Sequence, residues 1–268
     1  MSDEQKQTIK DYKRLIFNSM KLIGEKRGFE DLAVLVDEEY GYDIQMECGK
    51  IGIRNILTTE KSGEKIFDFQ YPDWQDHILK IKPTYAKALI RVVIGEDHSL
   101  QNSRLRELND FCAARGIGFL IEPLIEARPE DLAAVAGDKA RYDAEIRPKQ
   151  FAEAVAEMHA AGVKPDVWKI EGTETREGMD ICAEAVFHGG KENVKIVILG
   201  RGATQEVVDH WLRMGANSRG VNGFAVGRTV FSDPITALHK GEISREDATR
   251  QIADNYEHHI EVFLAAMV

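Results

Sequence analysis

The sequence predicts an α/β fold in which helices cover both faces of one parallel sheet. Short apolar, β-branched runs alternate with helical patterns almost to the end of the 268 residues. These runs are continuously apolar, which is typical of parallel strands buried on both sides. Polar residues gather at the C-terminal ends of successive runs, where barrel enzymes carry their active sites. Since the chain has seven prolines and no Pro- or Ser-rich linker, we expect a single domain over residues 1–268.

The periodicity of apolar residues places the individual elements. Seven strands are predicted at residues 32–36, 54–58, 86–94, 118–124, 167–171, 195–199 and 223–226. Helices are predicted at residues 12–26, 99–114, 147–160, 174–187 and 205–214. A capping-box pattern formed by Ser244 and Asp247 opens a final helix that runs to about residue 265.

Two architectures fit this order: a closed eight-stranded barrel and an open doubly wound sheet. No Gly-x-Gly-x-x-Gly follows the first strand, which disfavours the dinucleotide-binding version of the open sheet. A barrel needs one strand more than the seven predicted. Because residues 12–26 precede the first predicted strand and form a helical pattern, the missing element would be the first strand of the barrel.

Composition limits the classes of partner and compartment. The formal net charge of −10 disfavours nucleic acid or an anionic membrane as the main partner. Cys48, Cys112 and Cys182 lie far apart and form no ligand or disulfide motif, which suits a reducing compartment. The polar N-terminus does not resemble a signal peptide, and no apolar run approaches the roughly 20 residues of a membrane span. We expect a cytoplasmic protein.

The fifth predicted strand contains a lysine. Strand side chains alternate, so Val167, Lys169 and Glu171 should share one face, and Trp168 and Ile170 the other. A desolvated lysine loses its proton readily and is the group that an imine-forming enzyme needs. The alternative is a lysine at the strand end that reaches solvent and pairs with Glu171.

Two neighbouring strands carry further charges. Lys87 and Arg91 should share a face of the third strand, and Glu122 lies at the end of the fourth. If these faces point inward, Lys87 would lower the pKa of Lys169, and Glu122 could transfer the protons of imine chemistry. Mutual ion pairing is the structural alternative for part of this group.

Glycine turns follow the last two strands. Gly200-Arg201 and Gly227-Arg228 can offer backbone N–H groups where a helix begins, together with arginines suited to a phosphate. Alternatively, the glycines serve only tight turns and the arginines pair with carboxylates. The remaining candidates for substrate binding at strand ends are Asp37, Glu60, Lys61, Arg91 and Glu171.

No metal site is expected. His258 and His259 are adjacent in the final helix, and adjacent helical residues do not face each other. With no His/Asp/Glu cluster at ligand spacing, a metal-dependent aldolase or hydrolase is disfavoured.

At these positions the chain resembles the 2-deoxy-5-keto-gluconate 6-phosphate aldolase domain of myo-inositol catabolism, which is similar to class I tagatose-1,6-bisphosphate aldolases. The resemblance lies in residues 35–41, 60–63, 67–69, 87–91, 119–124, 165–171 and 223–231. It implies a (β/α)₈ barrel and a metal-free aldol cleavage that uses no cofactor beyond a lysine imine. It also implies that Lys169 forms the imine, with Glu122 as the proton-transferring group, Lys87 as the second active-site lysine, and Gly227 and Arg228 as phosphate ligands.

The family opens with a strand that carries Asp-His-Arg or Asp-Gln-Arg, and Asp-His-Arg is absent here. Residues 11–16 already resemble family helix one. We therefore expect a class I aldolase that cleaves a phosphorylated keto-sugar or keto-sugar acid to dihydroxyacetone phosphate and an aldehyde. The alternative is a barrel that has lost strand one and binds sugar phosphates without turning them over. Unpaired strand edges would favour a homo-oligomer, or coverage by the N-terminal segment.

Overall fold

The computed structural model describes residues 1–267, in which one seven-stranded parallel sheet is surrounded by helices. The strands are β1 (Ala33–Val36), β2 (Arg54–Thr58), β3 (Tyr85–Val92), β4 (Gly118–Ile125), β5 (Val167–Glu171), β6 (Lys195–Leu199) and β7 (Val221–Ala225). Their order in the sheet is their order in the chain, and every pairing is parallel. The α/β fold with a parallel sheet is therefore confirmed.

The helices that connect and cover these strands are numbered in chain order. They are α1 (Asp3–Arg27), α2 (Glu38–Ile51), α3 (Trp74–Ile81), α4 (Ser99–Ala113), α5 (Pro129–Ala134), α6 (Lys139–Glu145), α7 (Arg147–Ala160), α8 (Arg176–Phe187), α9 (Gln205–Gly215), α10 (Arg228–His239) and α11 (Arg245–Ala266). Among the described residues, no helix is long and apolar enough to cross a membrane.

The predicted bounds need small corrections. β3 begins at Tyr85 and ends at Val92, two residues before the predicted end, and β7 covers residues 221–225 instead of 223–226. The shift of β7 follows from its pairing, because Val221 aligns with Ile196 and a register irregularity follows that pair. α8 begins at Arg176 because the Thr175 hydroxyl accepts a hydrogen bond from the Gly178 amide and caps the helix.

The sheet is open where the sequence leaves a strand out. Within residues 1–267, β1 and β7 are the outer strands, and neither pairs with a strand beyond it. Residues 3–27 form helix α1, so the N-terminal segment does not supply the eighth strand. This arrangement is consistent with a barrel that lacks its first strand. Coverage of the edges by a second copy of the chain stays a prediction.

The helical layer continues across this opening. α1 packs against α2 on one side and α11 on the other, so it joins the two ends of the sheet. Phe17 and Ile23 of α1 are almost fully buried in a cluster with Ile44 of α2 and Ala253 of α11. Apolar burial therefore holds the first and last parts of the chain together although no strand connects them.

The two faces of the sheet differ in composition. Side chains on the helix-facing side form the main core; Trp168 and Ile170, for example, are fully buried there. On the other side, Ile56, Leu120 and Val167 form a small apolar layer near the N-terminal ends of their strands. The next residues with the same orientation along β4 and β5 are Glu122 and Lys169, so charged groups lie directly above this layer.

Candidate active site

Four charged side chains in or just after four adjacent strands, β2 to β5, form one largely buried cluster. Lys169 Nζ of β5 donates to Glu122 Oε1 of β4 at 2.8 Å. The other oxygen of Glu122 lies 2.9 Å from Lys87 Nζ of β3. Lys87 also donates to Glu60 Oε1 at 2.5 Å, and Glu60 follows β2. One carboxylate thus bridges the two lysines that the sequence placed on inward faces, and the predicted alternation of residues 167–171 is correct.

The two lysines differ in access to solvent. The side chain of Lys87 is 4% exposed, whereas that of Lys169 is 13% exposed. In sheet register, Lys169 lies beside Val197 of β6, and Val197 lies beside Gly223 of β7. A Cβ atom added at Gly223 would meet no atom within 4 Å. Open space therefore lies on this face of the sheet, two strands away from Lys169.

The electrostatic environment separates the lysines further. Burial is the main cause that lowers the pKa of Lys169, and the charge of Lys87 lowers this pKa further. Glu122 opposes the shift but does not cancel it. Burial would also lower the pKa of Lys87, but its contacts with Glu60 and Glu122 prevail, and the pKa is raised. Lys87 therefore favours its charged form, and Lys169 is the lysine that more readily becomes a neutral amine.

Glu122 is held as a carboxylate. Burial alone would raise its pKa, but the two neighbouring lysines outweigh burial and lower it. An ionised Glu122 can accept the proton that Lys169 must lose before it acts as a nucleophile. The second oxygen of Glu60 is buried and has no hydrogen-bond partner within the described residues, so it can also accept a proton or bind a hydroxyl group.

A second, partly buried network of charges lies next to this cluster. Glu171 at the end of β5 contacts Arg201 Nε at 2.7 Å and Arg147 Nη1 at 3.6 Å. Asp143 contacts the same two arginines, at 3.0 Å and 2.7 Å respectively. Burial raises the pKa of Glu171, although both arginines oppose that shift. Arg201 is therefore already paired with two carboxylates. This agrees with the alternative stated for the glycine turns, in which the arginines pair with carboxylates and do not bind a phosphate.

Arg228 differs from Arg201 because, among residues 1–267, its guanidinium makes one hydrogen bond, which Nη2 donates to the Arg201 carbonyl at 3.1 Å. The side chain lies across Gly202, where an added Cβ atom would come within 2.9 Å of the guanidinium carbon. Gly227 precedes Arg228 and is the N-cap of α10, as predicted. Gly200 precedes α9 by several residues because Thr204 is the N-cap, so the expectation that this turn begins a helix is wrong.

Three further candidates have local partners. Asp37 caps α2 by accepting from the Tyr40 amide at 2.8 Å, and it is also paired with Lys13. Lys61 is half exposed and pairs with Glu64. Arg91 lies on the predicted face of β3 and pairs with Glu126 at 2.7 Å. Within the described part of the chain, none of these three forms an ion pair with Lys169 or Glu122. A substrate that reached any of them would first have to displace these partners.

Sequence reasoning missed Asp143 and Arg147, which complete the second network. Arg147 is 3% exposed and opens α7, and its Nη2 donates to the Gly172 carbonyl at 2.7 Å. The only local signal was an Arg-Pro pair at a helix start, which indicates a helix boundary and not a buried cation. The capping role of Asp37 had a clearer signal, because two glutamates follow it at the start of a helical pattern.

His258 and His259 contact the same carboxylate, that of Asp209, although they are adjacent on α11. His258 Nε2 lies 2.7 Å from Asp209 Oδ2, and His259 Nδ1 lies 2.9 Å from Asp209 Oδ1. In the part of the chain that the structure describes, these three residues are the group of ligand atoms close enough to hold a metal ion. Cys112 and Cys182 are buried as expected, and burial raises the pKa of each thiol to about 12.

Comparisons with known proteins agree with the fold. The model of a family described as an uncharacterized protein conserved in bacteria (DUF2090) matches residues 1–267. The crystal structure of Cgl0159 from Corynebacterium glutamicum is similar with a TM-score of 0.57 at 14% identity, over 96% of this chain and 79% of that chain. The YdjI aldolase from Escherichia coli K12 is similar with a TM-score of 0.56 at 11% identity, over 93% of this chain and 87% of that chain.

Proposed function

The chain belongs to the DUF2090 family of proteins conserved in bacteria, and we propose from its charged cluster that it is a class I aldolase. Its substrate would be a phosphorylated keto-sugar or keto-sugar acid, and its products dihydroxyacetone phosphate and an aldehyde. The observation that carries this proposal is Lys169, a buried lysine with a lowered pKa that retains some exposure and contacts a carboxylate. The aldolase named among the structural neighbours supports the same reaction class.

The cluster supplies the groups that the first half of the reaction requires. Glu122 would take a proton from Lys169, whose neutral amine then attacks the ketose carbonyl carbon to form a carbinolamine. Loss of water, with a proton returned by Glu122 to the leaving hydroxyl, gives a protonated imine. Lys87 stays charged and would hold a substrate oxygen while it keeps the pKa of Lys169 low.

The protonated imine would then accept the electron pair of the breaking carbon–carbon bond. The carbon that becomes the aldehyde must lose its hydroxyl proton as the bond breaks, and the unpartnered oxygen of Glu60 would accept that proton. The enamine left on Lys169 is protonated at carbon and hydrolysed, which releases dihydroxyacetone phosphate and regenerates the amine. The proposed reaction uses no cofactor beyond this covalent imine.

Arg228 with Gly227 and Gly202 would bind the phosphate. Arg228 has a free face because its one hydrogen bond goes to a backbone carbonyl, whereas Arg201 would have to leave Glu171 and Asp143. A phosphate fixed at this end of the sheet would hold the carbonyl near Lys169, so that attack becomes effectively intramolecular. Gly200 shapes the turn that carries Arg201.

Borohydride trapping tests the proposal. Reduction in the presence of dihydroxyacetone phosphate should add the reduced adduct to one lysine, and peptide mass mapping should locate it at Lys169. The Lys169→Met variant should lose both trapping and turnover. Lys195→Met removes an exposed lysine at the N-terminal end of β6, away from the charged cluster, and should keep both. Labelling of Lys87 would refute the assignment of Lys169.

The open sheet favours one alternative, a barrel that binds sugar phosphates without cleaving them. In the aldolase family that this chain resembles, the strand that carries Asp-His-Arg would lie in the gap between β1 and β7. Equilibrium binding of dihydroxyacetone phosphate that is weakened by Arg228→Ala, together with no trapping in the wild type, would support this alternative over the aldolase.

A further inference from the structure

Helices α9 and α11 bring three metal-ligand side chains together on the helix side of the sheet. Asp209 lies on α9, and both histidines lie on α11, fifty residues further along the chain. The ligand atoms of Asp209, His258 and His259 all lie within 4.8 Å of one another. The ring of His259 packs edge-on against Phe224 of β7, whose register partner Ile198 belongs to the helix-facing core. The group is therefore separated from Lys169 by the sheet.

Adjacent helical residues reach one carboxylate here because they use different ring nitrogens. His259 approaches Asp209 with Nδ1, the nitrogen nearer its backbone, whereas His258 approaches with Nε2, the more distant one. The longer reach of Nε2 compensates for the roughly 100° between consecutive side chains on a helix. The side chains of His259 and Asp209 are 1% and 10% exposed, while that of His258 is 39% exposed, so solvent reaches the group from one side.

We propose that Asp209, His258 and His259 form a binding site for a divalent transition-metal ion of the Zn²⁺ type. Two imidazoles and one carboxylate are a ligand set that Zn²⁺ commonly uses, with water in a fourth position. The open side at His258 provides that position. This site is independent of the proposed aldolase reaction.

The distances require a small rearrangement. Tetrahedral Zn²⁺ with bonds of about 2.0–2.2 Å holds neighbouring ligand atoms about 3.3 Å apart. The two contacts of Asp209 are 2.7 and 2.9 Å, so an entering ion must push the side chains apart by about half an ångström. His258 is sufficiently exposed to make that movement. Arg213 Nη2 is 3.9 Å from Asp209 Oδ2, but its side chain is 55% exposed and can turn towards solvent.

A bound ion would link α9 to the C-terminal helix. α11 packs on α1, α9 and α10, so it closes the helical layer beside the open edge of the sheet. An ion that binds the folded state stabilises it in proportion to the logarithm of metal concentration over the dissociation constant. The metal would therefore raise the unfolding temperature without entering the proposed reaction.

The test uses the full chain without an affinity tag, after metal has been removed with a chelator. Titration with ZnCl₂ at neutral pH, followed by competition with a chromophoric chelator, should show one saturable site per chain. CoCl₂ should give the visible absorption of a tetrahedral Co²⁺ complex. His258→Gln should weaken Zn²⁺ binding at least tenfold and abolish the rise in unfolding temperature. Asp209→Asn should act in the same direction.

His210→Gln is the matched control. His210 is the neighbour of Asp209 on α9, but its ring contacts the Glu174 carbonyl at 2.8 Å and lies outside the group. This variant should bind Zn²⁺ within twofold of the wild type. Because His258 is partly exposed, His258→Gln should fold, and its circular dichroism verifies this. The proposal is overturned if the wild type shows no saturable Zn²⁺ binding. It is also overturned if His258→Gln binds Zn²⁺ as tightly as the wild type and the His210→Gln control do.

Discussion

Replacement of Lys87 by Met should destabilise the protein by about 3–5 kcal/mol, the usual cost of removing one partner from a buried ion pair. Lys87 is 3% exposed and contacts the carboxylates of Glu60 and Glu122. Glu122 would keep its contact with Lys169 at 2.8 Å. Within residues 1–267, Glu60 would lose the one ion pair that it forms, and its second oxygen already has no partner there. The cost therefore arises mainly from one uncompensated buried carboxylate.

This reasoning gives a prediction for the double variant. Glu60→Gln in the Lys87→Met background replaces the isolated carboxylate by a neutral amide of the same shape. It should therefore recover more than half of the lost free energy of unfolding, or about 2–3 kcal/mol. In the wild-type background, the same substitution should destabilise, since it leaves Lys87 with Glu122 alone. Urea unfolding followed by circular dichroism measures all four corners of this cycle.

Lys195→Met provides the control because it removes an exposed strand lysine, and its effect should stay within about 0.5 kcal/mol. A cost below 1 kcal/mol for Lys87→Met would mean that Lys87 is not held as a buried cation. Additive effects of the two substitutions would mean that Glu60 and Lys87 are not coupled. Either result would refute the arrangement from which the low pKa of Lys169 follows.

Three further predictions concern the proton donor, the phosphate site and pH. Glu122→Gln should slow imine formation, measured as the rate of borohydride trapping, and should slow turnover with it by about 10²–10⁴-fold; an unchanged trapping rate would contradict the role of Glu122 in proton transfer. Arg228→Ala should raise KM for a phosphorylated substrate at least tenfold with little change in kcat, and a fall in kcat alone would exclude phosphate anchoring. The two lysines lower the pKa of Glu122 in the folded protein, although burial opposes this shift. The ionised Glu122 therefore contributes its full stabilisation above the pKa of about 4.3 that a glutamate has in the unfolded chain, and this contribution is lost as the pH falls through the lower pKa of the folded state. Urea unfolding between pH 7 and pH 3 should therefore show a loss of stability below about pH 4 that is smaller in Lys87→Met.

The sheet was predictable because its information is local. Each buried parallel strand is a short apolar run, so β2, β5 and β6 match their predicted bounds. The inward orientation of Lys169 followed from alternation alone. The absence of one strand was also apparent from the sequence. A barrel of this type has a strand before its first helix, whereas residues 12–26 have helical periodicity and no strand is predicted before them.

Contacts between distant segments were not predictable from local patterns. Arg201 looked like a phosphate ligand because nothing in its surroundings along the chain reveals Glu171 and Asp143, which lie 30 and 58 residues away. His258 and His259 looked divergent because only the position of α9 brings Asp209 between them. Adjacent side chains on a helix point about 100° apart. The two histidines nevertheless reach one carboxylate because His258 uses Nε2 and His259 uses Nδ1.

The short outer strands have a consequence for the behaviour of the protein in a crowded solution. An exposed strand edge is a template on which other chains can add, and long, flat, apolar edges lead to fibres. Here the edge strand β1 has only four residues, and β7 has five, among them Asn222 and Gly223. These strands present few backbone groups in a row, and Asn and Gly are poor strand formers. The short strands at both margins of the sheet therefore offer an added chain few backbone groups with which to pair.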